Sequence, residues 1–384
     1  MRAVVYHGAK DLRVETIPVP AIGKHELLVR VAACGVCPTD IKKIHYGTVT
    51  PPRVFGHETA GTIVRVGPSV TGFKLGERVA LHHHVPCLKC HFCRHRAFAQ
   101  CARYKQTGIT AGFEPAGGGY GEYVRVMPFV LPGVVKIPRG NTFLEGAMLE
   151  PVNTVLKAVE RLAILPGDTV LVAGQGPIGL MFTRLLTLRR AKVIATDLLE
   201  TRLRLADSLG ASCALKVESA EQSRSEATAA NRRRKGQNQV RGLLSGISLA
   251  DVVDRATAGR GLDAAVIAVP SERVMVEAQA LVRGGGRVLL FSHTKRGDLA
   301  ELDLASICVD EKDLIGSYSA DFLLQTEVAR LVFSRRLDVR QLVTHQFPLE
   351  QTAAAVDLAA HPTSESLKVV VTQSANGLGR AAAL

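Results

Sequence analysis

Short apolar stretches of strand length, separated by Gly and Pro turns, fill residues 1 to about 140 and predict a β-rich first part. At Phe143 the pattern turns helical, with Phe143, Ala147, Leu156, Val159 and Leu162 falling on one helical face. From there to about 300, strands alternate with helices as in a doubly wound α/β sheet. Residues 169–173 and 192–196 read as buried strands with a helix at 180–190 between them, and 264–269 and 287–291 as later strands of the same sheet. The helix-like 323–331 and the strand-like 368–371 are expected to return to the first part. Two domains follow, one from 1–150 with 300–384 and one from 151–299. The small, Gly- and Ala-rich end at 376–384 is expected to fray.

At 384 residues the chain has room for two or three domains of roughly 100 to 200 residues each. Apolar residues at 47% and charged residues at 22% predict a globular protein, and an aromatic share of 5% with no Trp argues against a stacking platform for single-stranded nucleic acid. No apolar run approaches the roughly 18 residues of a membrane helix. Met1 leads directly into strand-like sequence with no secretory pattern, so a cytoplasmic location is expected. Basic residues exceed acidic ones, 48 against 35, partly because residues 224–241 hold six basic residues against Glu226 alone. That stretch belongs to a polar insertion at about 217–241, which cannot bury a core and is expected to form a disordered surface loop.

Eight cysteines stand at 34, 37, 87, 90, 93, 101, 213 and 308. In a reducing compartment Cys87, Cys90, Cys93 and Cys101 point to one closed tetrahedral zinc site of the structural kind. Lys89, Arg94, Arg96, Arg103 and Lys105 around them read as a solvated rim. Cys34-Gly35-Val36-Cys37 could suggest redox chemistry, but Gly56-His57-Glu58 follows about twenty residues later. An adjacent imidazole and carboxylate there can complete a Cys/His/Glu metal site with an open position.

Thr169–Ala173 leads into Gly174-Gln175-Gly176-Pro177-Ile178-Gly179 and then a helix, the setting in which G-x-G-x-x-G becomes a dinucleotide fingerprint. Gly174, Gly176 and Gly179 allow the turn, the pyrophosphate's approach and close helix packing, and Pro177 and Ile178 open the helix. Asp197, eighteen residues beyond Gly179, is placed to accept both ribose hydroxyls and to repel a 2′-phosphate, which favours NAD over NADP. Arg202, five residues on, is the feature that would favour a phosphate.

These segments together resemble the zinc-containing medium-chain dehydrogenase/reductase family over nearly the whole chain. Gly56-His57-Glu58-x2-Gly61-x5-Gly67-x2-Val70 fits the family's zinc alcohol dehydrogenase signature, and Met148-Leu149-Glu150-Pro151 is similar to the polyol and threonine dehydrogenase branch. The resemblance implies a GroES-like catalytic domain joined to a Rossmann domain, two zinc ions per chain, and a homodimer or homotetramer. It implies a catalytic zinc held by Cys37, His57 and either Glu58 or Glu150, with Cys37 chosen over Cys34 because Pro38-Thr39-Asp40 follows it. It further implies a hydride passing from a polyol or secondary alcohol to NAD, a proton relay through Thr39, and Thr154 against the nicotinamide. Cys34, Cys213 and Cys308 are left as packed or bystander thiols. Within the family the alternatives are an amino-alcohol (threonine) dehydrogenase or an NADPH-dependent carbonyl reductase. A zinc-bearing nucleic-acid-binding sensor is the rival from another class, and an open zinc site beside Asp197 argues against it.

Overall fold

A computed structural model describes residues 1–82, 84–106, 108–113, 117–218, 243–244, 247–292, 294 and 297–373. All but the first two residues of the insertion at 217–241, and the whole of 376–384, lie outside them. The chain divides into two compact units, Met1–Thr154 with Ser319–Leu384, and Val155–Tyr318.

The first unit is built on antiparallel strands. Leu27–Gly35 is its spine, pairing antiparallel with Glu58–Val66, Tyr123–Val126 and Lys368–Thr372. Leu27, Val29, Val31, Ile63, Val79 and Val124 fill one apolar core beneath it. The register places Gly35 opposite both Glu58 and Val370, so the C-terminal strand and the strand that begins at Glu58 flank the end of the spine on its two sides. The helical segment expected from Phe143 is two helices, Phe143–Ala147 in the first unit and Leu149–Leu162, which runs across the boundary at Thr154. Pro151 has no N–H to donate to the carbonyl of Ala147, which interrupts the ladder there and leaves Glu150 in the first turn of the second helix. Thr142 and Glu145 form a capping box at the start of the first helix, and buried Glu145 also pairs with Arg335.

The second unit is a parallel sheet. Its strands run in the order Leu243–Leu244, Cys213–Lys216, Lys192–Asp197, Thr169–Ala173, Leu262–Ile267, Val282–Leu290, Asp313–Gly316. Every residue of Thr169–Ala173 and Leu262–Ile267 is buried, as central strands covered on both faces require. Residues 300–318, expected with the first unit, instead supply the helix Leu304–Val309 and the edge strand Asp313–Gly316, which pairs with Val282–Leu290. That edge strand is mostly exposed, so it carries little of the apolar signal by which a sheet strand is read from sequence.

Candidate active site and metal centres

Cys37 lies two residues beyond the spine strand and caps the helix Pro38–Tyr46, where Pro38 takes the first helical position and its missing N–H removes nothing from the ladder. The carbonyl of Cys37 accepts from the N–H groups of Asp40 and Ile41. Asp40, in the first turn and buried, places its two carboxylate oxygens 3.1 and 3.0 Å from Nδ1 of His57. With Nδ1–H held in this way, Nε2 of His57 is the nitrogen left to serve a metal. Burial opposes charge on the ring, yet Asp40 and the Cys37 sulfur raise its pKa well above the usual value. A metal binding here must therefore displace a proton.

Cys37, His57 and Glu58 each offer a ligand atom, and these atoms lie within 4.8 Å of one another. A thiolate, an imidazole oriented by a carboxylate and a second carboxylate form a donor set that suits zinc. Glu58 is buried and paired with the buried Lys368, whose Nζ lies 2.6 Å from Oε1 and 2.5 Å from Oε2 and donates to the carbonyl of Val36 at 3.0 Å. Burial disfavours the Lys368 ammonium, but Glu58 and Cys37 outweigh it and its pKa is raised. Glu150 stands outside that three-residue set, within range for His57, Glu58 and Lys368 to act on its charge; burial pushes its carboxyl up to about 7.

Thr39 sits half-buried in the first turn of the Pro38–Tyr46 helix. The hydroxyl of Thr154 donates to the carbonyl of Pro151 at 2.8 Å, a helix-internal bond that leaves its oxygen free to accept. Cys34 is fully buried against Thr59, and burial pushes its thiol up to about 12.

Cys87, Cys90, Cys93 and Cys101 also converge within 4.8 Å. Sγ of Cys93 lies 3.9 Å from that of Cys87 and 3.5 Å from that of Cys90, close to the ~3.8 Å edge of a tetrahedron with Zn–S bonds of about 2.3 Å. Backbone N–H groups of Lys89 and Cys90 bring the Cys87 thiol down to about 6, whereas burial and the neighbouring sulfurs push that of Cys93 up to about 12. Lys89, Arg94, Arg96 and Arg103 are all exposed around it.

In the second unit the turn after Thr169–Ala173 needs glycine twice over. Gly174 has φ +92°, and a Cβ on Gly179 would fall 1.8 Å from the carbonyl oxygen of Gly174. A Cβ on Gly176 would meet nothing within 4 Å, so this glycine faces open space at the N-terminus of the helix Pro177–Leu188. Its N-terminal N–H groups suit a phosphate. Asp197 ends the neighbouring strand with Oδ2 accepting from the N–H of Gln175 at 2.6 Å and Oδ1 from the N–H of Leu199 at 2.9 Å. Nη1 of Arg202 lies 4.0 Å from Asp197 Oδ2.

Sequence reasoning quoted Asp40 only as part of the run after Cys37, and it missed Lys368 as a neighbour of the site. A lone lysine opening an apolar strand was the only available hint, since its partner Glu58 is 310 residues away.

Residues 23–139 match the model of the alcohol dehydrogenase GroES-like domain, and residues 177–334 that of the zinc-binding dehydrogenase. A sorbitol dehydrogenase of Bacillus subtilis (strain 168) is 29% identical over 380 residues, covering 97% of both chains. One of Bombyx mori is 30% identical over 375 residues, covering 96% of this chain and 97% of its own. Among solved structures, the alcohol dehydrogenase from Thermus sp. ATN1 superimposes with a TM-score of 0.79 at 26% identity, over 97% of this chain and all (100%) of that one. With both domain models matched and relatives aligned along nearly its whole length, the chain belongs to the zinc-containing medium-chain dehydrogenase/reductase family of alcohol dehydrogenases.

Proposed function

We propose that this enzyme oxidises a polyol or another vicinal diol, with hydride transfer to NAD and with two zinc ions per chain. The observation that carries the reading is the convergence of Cys37, His57 and Glu58, with Glu150 close by. The sorbitol dehydrogenases among its relatives support the substrate class.

Zinc held by Cys37, His57 and a carboxylate would supply the Lewis acidity that makes an alcohol hydroxyl ionise near neutral pH. NAD would supply the hydride acceptor. The chain's own residues do the rest. Asp40 fixes the His57 ring and its tautomer, so that Nε2 is presented at one angle. Thr39 passes the hydroxyl proton outward. Glu150, with a carboxyl that titrates near neutrality, serves as ligand or as neighbouring proton acceptor. The Gly174–Gly179 turn and the helix after it receive the pyrophosphate, and Asp197 receives the ribose hydroxyls. The four-cysteine lobe holds the second zinc and braces its own loop.

A homo-oligomer is part of the same proposal. The edge strand Asp313–Gly316 exposes Leu314 at 38%, and the helix before it exposes Leu304 at 75% and Val309 at 80%, an unpaired apolar edge that a second copy would cover.

The test is a panel of sorbitol, xylitol, 2,3-butanediol, threonine, ethanol and hexanol, read by NADH absorbance, with NADP run alongside NAD. Faster turnover of a polyol or diol with NAD supports the reading; preference for ethanol or hexanol, or for NADP, overturns the corresponding part. Light scattering of the purified protein decides the oligomer.

A further inference from the structure

Two helices of the first unit end beside one another. Pro38–Tyr46 carries His45 in its last turn, and Thr352–Ala360 closes on His361 as its C-cap. Their imidazoles stack with ring centroids 6.3 Å apart, and both line a cavity of about 170 Å³ together with Lys10 and Asp357. The carbonyl end of a helix carries about half a negative charge, so two such ends favour a cation. Asp357 adds a carboxylate whose Oδ1 lies 3.2 Å from Nδ1 of His361, an arrangement that orients the ring and leaves Nε2 to a ligand. Lys10 brings an opposing charge, because its N–H ties it to the carbonyl of Ile44. The cavity has room for an ion with several waters of about 30 Å³ each.

We propose that His45 and His361 hold an exchangeable divalent transition metal of the kind that imidazole binds (nickel, copper or zinc), with water filling its remaining positions. Two imidazoles sharing one ion at about 2.1 Å place their ring centroids about 5 Å apart. A rotation of His361, whose side chain is 74% exposed, closes the present gap of 6.3 Å. The ion ties the last turn of the helix that bears Thr39 and Asp40 to the helix Thr352–Ala360, apart from both the Cys37–His57 set and the cysteine lobe.

The experiment is equilibrium dialysis of the zinc-loaded full chain against Ni²⁺ at neutral pH, with bound nickel and retained zinc counted together. One nickel per chain should bind with the zinc content unchanged, and the thermal midpoint should rise with nickel concentration. His45→Ala and His361→Ala should each weaken nickel binding at least tenfold. Lys10→Asn removes the opposing charge, and asparagine tolerates the φ of +60° at that position, so it should tighten binding at least twofold. The His91–His95 pair, with ring centroids 4.6 Å apart among the exposed Lys89, Arg94 and Arg96, serves as the comparison, and His91→Ala should leave the affinity as it was. No added nickel, nickel that expels an equal amount of zinc, or binding lost in His91→Ala and kept in His45→Ala overturns the proposal. If His45→Ala does not fold, the other two variants decide: weaker binding in His361→Ala with tighter binding in Lys10→Asn supports the site, and unchanged affinity in either overturns it.

Discussion

Asp40 meets His57 with both carboxylate oxygens, at 3.1 and 3.0 Å from Nδ1, in a largely buried pair. The contact joins the first turn of the Pro38–Tyr46 helix to the residue before the strand Glu58–Val66, so it helps set the candidate ligands Cys37 and His57 relative to one another. Asp40→Asn keeps the shape and removes the charge. It should lower zinc affinity at this site, or turnover, by about 10- to 100-fold. Zinc titration and kcat measured on the same preparation check this.

The two metal sites should separate on mutation. Cys93→Ser removes one of four converging thiolates and should lower the thermal midpoint first, whereas Cys37→Ser should abolish turnover with the fold retained. Metal analysis of protein purified without chelator should give two zinc ions per chain; one or none would contradict the assignment.

Asp197 should govern cofactor choice and also hold its turn together. Asp197→Ser loses a charged acceptor for ribose, and NAD binding should weaken by about 1.5 to 3 kcal/mol for each charge-assisted bond lost, with NADP use rising. Because the carboxylate also accepts from the N–H groups of Gln175 and Leu199, the variant should melt at lower temperature without cofactor as well. Calorimetric titration with both cofactors and a melting curve separate the effects.

Glu150→Ala should reduce turnover by about an order of magnitude or more, as the loss of a ligand or its neighbour commonly does. The loss should be largest for polyols, which can present two oxygens to one metal. Wild-type rates on sorbitol in this variant would remove Glu150 from the chemistry.

His82 predicts a pH dependence away from the catalytic chemistry. It is buried, and burial, outweighing a contact with the His84 backbone, lowers its pKa from 6.5 to about 4. Between those values the unfolded chain binds a proton that the folded chain does not, so stability falls as pH drops from about 6.5 to 4 and is insensitive to this group above that range. The span corresponds to roughly 3 kcal/mol. His82→Phe should flatten the dependence, which denaturant unfolding at pH 7 and pH 5 would measure.

Some features were legible because they are local. The cysteine lobe, the glycine turn, the His-Glu pair and Asp197 announce themselves by spacing: a metal knuckle, a phosphate turn and a ribose acceptor are each made by residues close together in the chain, with backbone conformations that only certain residue types adopt. Parallel strands buried on both faces were equally plain, since apart from Thr169 and Asp263 every position in Thr169–Ala173 and Leu262–Ile267 is apolar. The half-exposed edge strand Asp313–Gly316 was not, because an edge demands no such pattern.

What the chain alone determined is the family's chemistry, its candidate ligands and the alternation of its sheet. What only the tertiary structure decided is which groups share one another's charge. Asp40 reaches His57 because a helix start faces a strand start, and Lys368 reaches Glu58 because the C-terminal strand is in register with Gly35. Such pairings depend on sheet register and on the absence of a single Cβ, and neither leaves a periodic trace in the sequence.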